Sequence, residues 1–182
     1  METIKGCLLV PSAQNPDTGL WFIFHHESDG VLAFDITKLH PEIPYRYFEP
    51  ALIGEDRKNA SDKIVLYGGP EQDQSAMLVL HNNPAANKDS HIINKDFSFL
   101  SYRFTLVPGH PPAFTRGDES PAQLEFTGTT DFIVVLGFRI WSMNMLEQDL
   151  IHWRWSLLPA TQEIVFHTPA HERLAKARRS IN

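Results

Sequence analysis

The 182-residue sequence predicts an α+β fold: one domain built on a mixed, mostly antiparallel sheet, open or curled toward a barrel, with two or three helices packed outside. Three observations predict it. Phe132-Ile133-Val134-Val135-Leu136 is an unbroken apolar run rich in β-branched residues, as expected of a strand covered on both faces. Phe97, Phe99, Leu100, Tyr102, Phe104 and Leu106 nearly alternate with polar residues, the mark of a half-buried strand. Helical periodicity marks two late stretches, around Met143–Trp153 and Ala170–Ile181.

In chain order, Gly6 to Val10 is a short apolar strand ended by Pro11, and Leu20 to Phe24 is another. The turn formers from Ser12 to Gly19 connect them. His25-His26-Glu27 leads through Asp29-Gly30, a strong hairpin signal, into Val31 to Ile36. Tyr45 to Ile53 is a weak helix candidate in a proline-rich segment. Ile64 to Tyr67, the Gly68-Gly69-Pro70 turn and Ala76 to Leu80 make strand, turn and strand, closing on His81. Asn82 to Ser90 is polar and turn-rich, and 107–131, with four prolines and three glycines, is expected to be a long loop with a short strand at Gln123 to Phe126.

After the central run, Gly137 permits a close approach and Ser142 is placed to cap a helix. Met143, Leu146, Leu150 and Trp153 mark that helix's buried side. Arg154 to Pro159 follows as a strand, Glu163 to Phe166 as a last short strand. Thr168 then caps a final helix with Pro169 at its first position and Ala170, Leu174, Ala177 and Ile181 on its apolar side.

Composition narrows the function classes. The hydrophobic fraction of 42% and charged fraction of 21% are ordinary for a soluble domain, and the chain is long enough to bury roughly 70% of its unfolded surface. A net charge of −6 works against a phosphate backbone, so direct nucleic-acid binding is disfavoured. The basic run Lys176-Ala177-Arg178-Arg179 suits the negative end of a helix. A lone Cys7 excludes an internal disulfide, and neither a leader peptide nor a run near the roughly 20 residues of a membrane span is present, so a reducing, cytoplasmic setting is expected.

Several of these blocks resemble one family. Leu136-Gly137-Phe138, Trp141, Leu146-Glu147-Gln148-Asp149-Leu150, Trp155 and Pro159 are similar to the Leu-Gly-Tyr-x-x-Trp…Gln-Leu-Glu-x-Glu-Leu…Trp…Pro pattern of the bacterial AlgH/YqgE family. Pro11, His25 or His26, Gly30 and Lys38 match its N-terminal block, and Gly68-Gly69-Pro70 with His81 its Gly-Gly-Pro…His block. Phe166, Thr168, Pro169, Glu172, Arg173 and Ala177 match its closing segment. The chain departs from the pattern at Thr37, where relatives have Asn, at Leu39, where they have Pro, at Asp35 within an apolar strand, and at His167, where they have Asp. The resemblance implies a divergent member of a family without an agreed activity, sometimes labelled transcriptional regulators.

No chemistry-bearing motif stands out. His25 and His26 are adjacent, so on a strand they face opposite ways and do not form a metal pair, and no His-Glu-x-x-His, Gly-x-Ser-x-Gly, Cys-x-x-Cys or phosphate-binding glycine loop occurs. No cofactor or metal is expected. Asp35 is the sharpest oddity, because a carboxylate in an apolar strand needs a partner. The candidate binding surface joins Gly68, Gly69, His81, Trp141, His25 and Asp35, provided their strand ends converge and the Trp141 indole is exposed there. The expected function is non-enzymatic binding or regulation through an unidentified protein or small ligand. A His/Asp enzyme site at the strand ends is the alternative, and DNA-binding regulation a third.

Overall fold

Residue alternation sets the architecture, because each strand carries one face inward and a second face that another layer must cover. The computed structural model describes residues 3–28, 30–48, 52–53, 64–82, 90–110, 113–115, 124–125 and 131–181. The strands are β1 (Cys7–Pro11), β2 (Trp21–Glu27), β3 (Gly30–Asp35), β4 (Leu52–Ile53), β5 (Val65–Tyr67), β6 (Ala76–His81), β7 (His91–Ile92), β8 (Ser98–Thr105), β9 (Ala113–Thr115), β10 (Leu124–Glu125), β11 (Phe132–Leu136), β12 (Arg139–Trp141) and β13 (Trp155–Pro159). The helices are α1 (Met143–Ile151), α2 (Gln162–Val165) and α3 (Ala170–Ile181).

Among the described residues, two large sheets and a two-stranded ladder form rather than a closed barrel. The first runs β12-β3-β2-β1-β13, entirely antiparallel, and the second runs β5-β11-β6-β8-β7 with β9 beside β8. Among the described residues, parallel pairing is confined to β5 with β11 and the small β4–β10 ladder, so the α+β, mostly antiparallel expectation holds.

Three apolar layers follow from the alternation. Between the sheets, Leu8, Val10, Leu20, Phe22, Phe24 and Phe34 meet Leu66, Leu78, Leu80, Ile133 and Val135, with α2 and α3 closing one side. The outer face of the second sheet holds Val79, Leu100, Phe132, Val134 and Leu136. On the outer face of the first, Trp21, Ile23, Val31, Ala33, Trp141 and Trp155 lie beneath Leu146 of α1. As its unbroken apolar run requires, β11 is buried at every residue and feeds both of the second sheet's faces. The Ser98–Thr105 strand alternates buried and open positions as expected.

Three local expectations are corrected. Glu163 to Phe166 is largely helix rather than strand: Thr161 caps α2 by accepting from Ile164 N, and Ile164 and Val165 enter the core. Thr168 does not cap α3; its hydroxyl donates back to Glu163 O at 2.7 Å. Trp153 is not on the buried side of α1, being 81% exposed with φ +56°. It sits just past the helix, with Trp153 N donating to Leu150 O and Arg154 N to Asp149 O. That is a Schellman ending, with tryptophan in the left-handed position that usually takes glycine. Ser142 caps α1 as predicted. The weak helix at Tyr45–Ile53 is a 3₁₀ turn, Tyr45–Tyr47, followed by β4. Asp29, and most of Asn82 to Ser90 and of 107–131, lie outside the described residues.

Candidate functional site

The end of β3 is the place where sequence order and space disagree most. Asp35 faces the same side of the first sheet as its cross-strand partner Trp21, and β12 brings Arg139 alongside Ala33 on that face. The second sheet approaches here: Asp35 N donates to Gly68 O at 2.9 Å, and Tyr67 N to Lys38 O at 2.8 Å. Asp17, Trp21, Asp35, Lys38, Tyr67, Gly69 and Arg139 surround a recess of about 360 Å³.

Glycine is required at the crossing. A Cβ on Gly68 would stand 2.3 Å from Gly137 O and 2.5 Å from Val135 Cγ1, and one on Gly69, at φ +151°, 2.4 Å from Phe138 O. Any other residue would push the strand ends of the two sheets apart.

Asp35 is 1% exposed. Its Oδ1 accepts from Thr37 Oγ1 at 2.6 Å, Thr37 N at 2.8 Å and, at a longer 3.4 Å, Leu20 N. Its Oδ2 lies 3.2 Å from Lys38 Nζ, an ion-pair distance, but among the described residues no donor reaches Oδ2 in hydrogen-bond geometry. Trp21, 5% exposed, likewise has no acceptor for its indole Nε1–H among the described residues. Both atoms crowd the same face of Gly19, where a Cβ would meet Asp35 Oδ2 at 2.4 Å and Trp21 Nε1 at 2.9 Å. Among the described residues, a buried acceptor whose only contact of this kind is its ion pair with Lys38 and a buried donor thus stand near one another with no hydrogen bond made to either, an arrangement that is costly to leave unfilled.

Above them lies Arg139. Its guanidinium sits 4.4 Å from the Trp141 ring centroid and 5.4 Å from that of Trp21, and pairs with Asp17 Oδ2 at 2.9 Å. Trp141 is edge-on to Trp21 at 5.2 Å and to Trp155 at 6.4 Å. Cation–π contact on two rings and a carboxylate hold Arg139 as a clamp over the recess.

Of the six residues singled out in the sequence, Asp35, Gly68 and Gly69 converge. Trp141 is 2% exposed, so it supports Arg139 from below and presents no free indole. His81 is fully buried at the other end of β6, opposite Phe132, about 13 Å of strand from the Gly68–Leu136 contact, and it hydrogen-bonds Ser90 Oγ at 2.9 Å. His25 pairs with Leu32, about 10 Å along β3 from Asp35. His81 ends β6 and His25 stands two residues before the end of β2, but antiparallel pairing puts both away from the Asp35 end of the sheet. No cluster with metal-ligand character occurs among the described residues. Trp21, Lys38, Tyr67 and Arg139 were missed; the available signal was a lone cation, Arg139, two residues before a tryptophan on a strand.

Comparison with known proteins gives a consistent placement. A family model described as AlgH-like matches residues 18–182. A UPF0301 protein of Photobacterium profundum is 30% identical over 182 residues, covering 95% of this chain and 89% of that protein. The UPF0301 protein YqgE of Salmonella agona is 26% identical, covering 96% and 88%. The solution structure of the AlgH protein from Pseudomonas aeruginosa superposes with a TM-score of 0.65 at 18% identity, covering 100% of this chain and 90% of that one. A crystal structure of a Corynebacterium diphtheriae protein gives 0.64 at 13%, covering 99% and 88%. These two likenesses establish the fold alone.

Proposed function

We propose, from the premise that the chain belongs to the AlgH-like family, that it works by binding and carries out no reaction of its own, taking a small polar ligand or a peptide segment into the recess at Asp35. The observation that carries this is the neighbouring pair Trp21 Nε1–H and Asp35 Oδ2, neither of which makes a hydrogen bond among the described residues. A donor beside an acceptor matches the edge of an amide, whose carbonyl would accept from Trp21 while its N–H donates to Asp35. Lys38, with its side chain 48% exposed, and Arg139, at 37% and held by Asp17, form the rim past which such a group enters. Lys38 lies 3.2 Å from Oδ2, so the ligand N–H enters beside it and Lys38 stays in place as the counter-charge of the buried Asp35.

Binding is favoured over catalysis because Asp35, His25 and His81 stand apart, and Asp35 Oδ1 is already engaged by Thr37. DNA binding is disfavoured by the net charge of −6 and by the C-terminal run, where Lys176 pairs with Glu163 and Arg178 donates to Pro11 O. A cytoplasmic setting fits this reading; no helix among the described residues is long and apolar enough to cross a membrane.

Calorimetric titration with N-acetylated dipeptide amides tests the proposal. Trp21→Phe, which removes only the donor, and Asp35→Asn should each weaken binding about tenfold or more, the scale of one lost buried hydrogen bond. Equal affinity in both variants and the parent chain would refute the assignment.

A further inference from the structure

A second buried ionic group lies on the far side of the Asp35–Lys38 segment. Arg173, near the start of α3, is 3% exposed. Its Nε donates to Thr168 O at 2.9 Å and its Nη1 to Ile36 O at 2.6 Å. Both acceptors are neutral carbonyls, and no ion pair to Arg173 is found among the described residues. Burial pushes its pKa down to about 10, which leaves it charged at neutral pH. A guanidinium removed from water with no counter-charge among the described residues is the costly half of a salt bridge.

Arg173 lines a cleft of about 770 Å³. Leu39, Ile64, Phe132 and Val134 give it apolar walls, and Ala170 and His171 bring the first turn of α3 to it. Backbone N–H groups at the start of a helix lack intrahelical acceptors and carry partial positive charge. The flanking acids are engaged elsewhere: Asp131 with His167 at 2.9 Å, Glu163 with Lys176 and His167. We propose that this cleft binds a small organic anion, with a carboxylate or phosphate head on Arg173 and the start of α3 and an apolar body against β11. The head needs adjacent anionic oxygens, which a guanidinium fork takes two at a time. The apolar walls exclude a bare inorganic ion as the best fit.

The test uses the full chain, ¹⁵N-labelled, titrated at constant ionic strength with benzoate, acetate and inorganic phosphate. The expected result is saturable shifts at Ala170, His171 and the Arg173 Nε–H, with benzoate binding more tightly than acetate because it reaches the apolar wall, and with the phosphate arm showing which head is preferred. Arg173→Lys keeps the charge and loses the fork, and should weaken binding about tenfold or more. Should that variant fail to fold, the shift map of the parent chain decides alone. Absence of saturable shifts at α3 with all three anions, or equal affinity in Arg173→Lys, would overturn the proposal.

Discussion

The Asp35 recess and the Arg173 cleft lie on either side of one four-residue segment, Asp35 to Lys38, and their deficits are opposite. Among the described residues, the buried charge of the recess has its counter-charge, Lys38 at 3.2 Å, while two polar atoms lack hydrogen bonds. The buried charge of the cleft has hydrogen bonds, to Thr168 O and Ile36 O, and among those same residues no counter-charge. Hydrogen-bond satisfaction and charge compensation are therefore separate requirements of a buried ion, and each shortfall specifies a different ligand chemistry. The recess calls for a neutral group that donates and accepts; the cleft calls for an anion.

The largest expected effect breaks the comparison on the cleft side. Arg173→Met leaves two buried carbonyls without donors, and should cost about 3 kcal/mol in urea unfolding even though it removes an uncompensated charge. A stabilised variant would mean that the charge, and not the two bonds, dominates. On the recess side, Thr37→Val removes one hydroxyl from Asp35 Oδ1 and should cost about 1 kcal/mol. Trp153 supplies a reference away from both: Trp153→Asn should raise stability by a few tenths to about 1 kcal/mol, because asparagine tolerates the left-handed backbone better. A loss there would show that the exposed indole packs usefully.

The smallest effect is electrostatic. Asp131 first, and then Glu163, raise the His167 pKa above the ordinary 6.5, so its contribution is fully present below pH 6.5 and fades as pH rises through the raised value. With His167 and its partners about half exposed, the effect is screened and small. The difference in Tm between the parent and His167→Gln should shrink toward zero on going alkaline; a constant difference would assign the effect to packing.

Much of the fold was legible because patterning is local. The Phe132–Leu136 run and the Phe97–Leu106 alternation state which faces are covered, and Ser142 states where α1 begins. Glu163–Phe166 misleads because α2 spans four residues, too few for a helical period, so the β-branched Ile164-Val165 pair dominates the pattern and the cap at Thr161 goes unnoticed. Trp153 misleads because helical spacing continues past a helix that its own backbone has already ended. At the site, Asp35 and Gly69 were visible as local anomalies. Their neighbours were not, since Trp21, Arg139 and Tyr67 meet through the sheet order β12-β3-β2 and the approach of β5, which no local pattern encodes. His25 and His81 were grouped with them because both follow apolar runs near strand ends, and strand direction separates them.

The claim on which the account turns is that the buried indole N–H of Trp21 is held in reserve for a ligand. Its Nε1–H resonance in the ¹⁵N-labelled chain reports this directly during titration with N-acetylated dipeptide amides. We predict a saturable downfield shift of that signal, moving together with the Gly69 amide and abolished by Asp35→Asn. A signal that stays fixed while other resonances titrate, or that moves identically in Asp35→Asn, would contradict it.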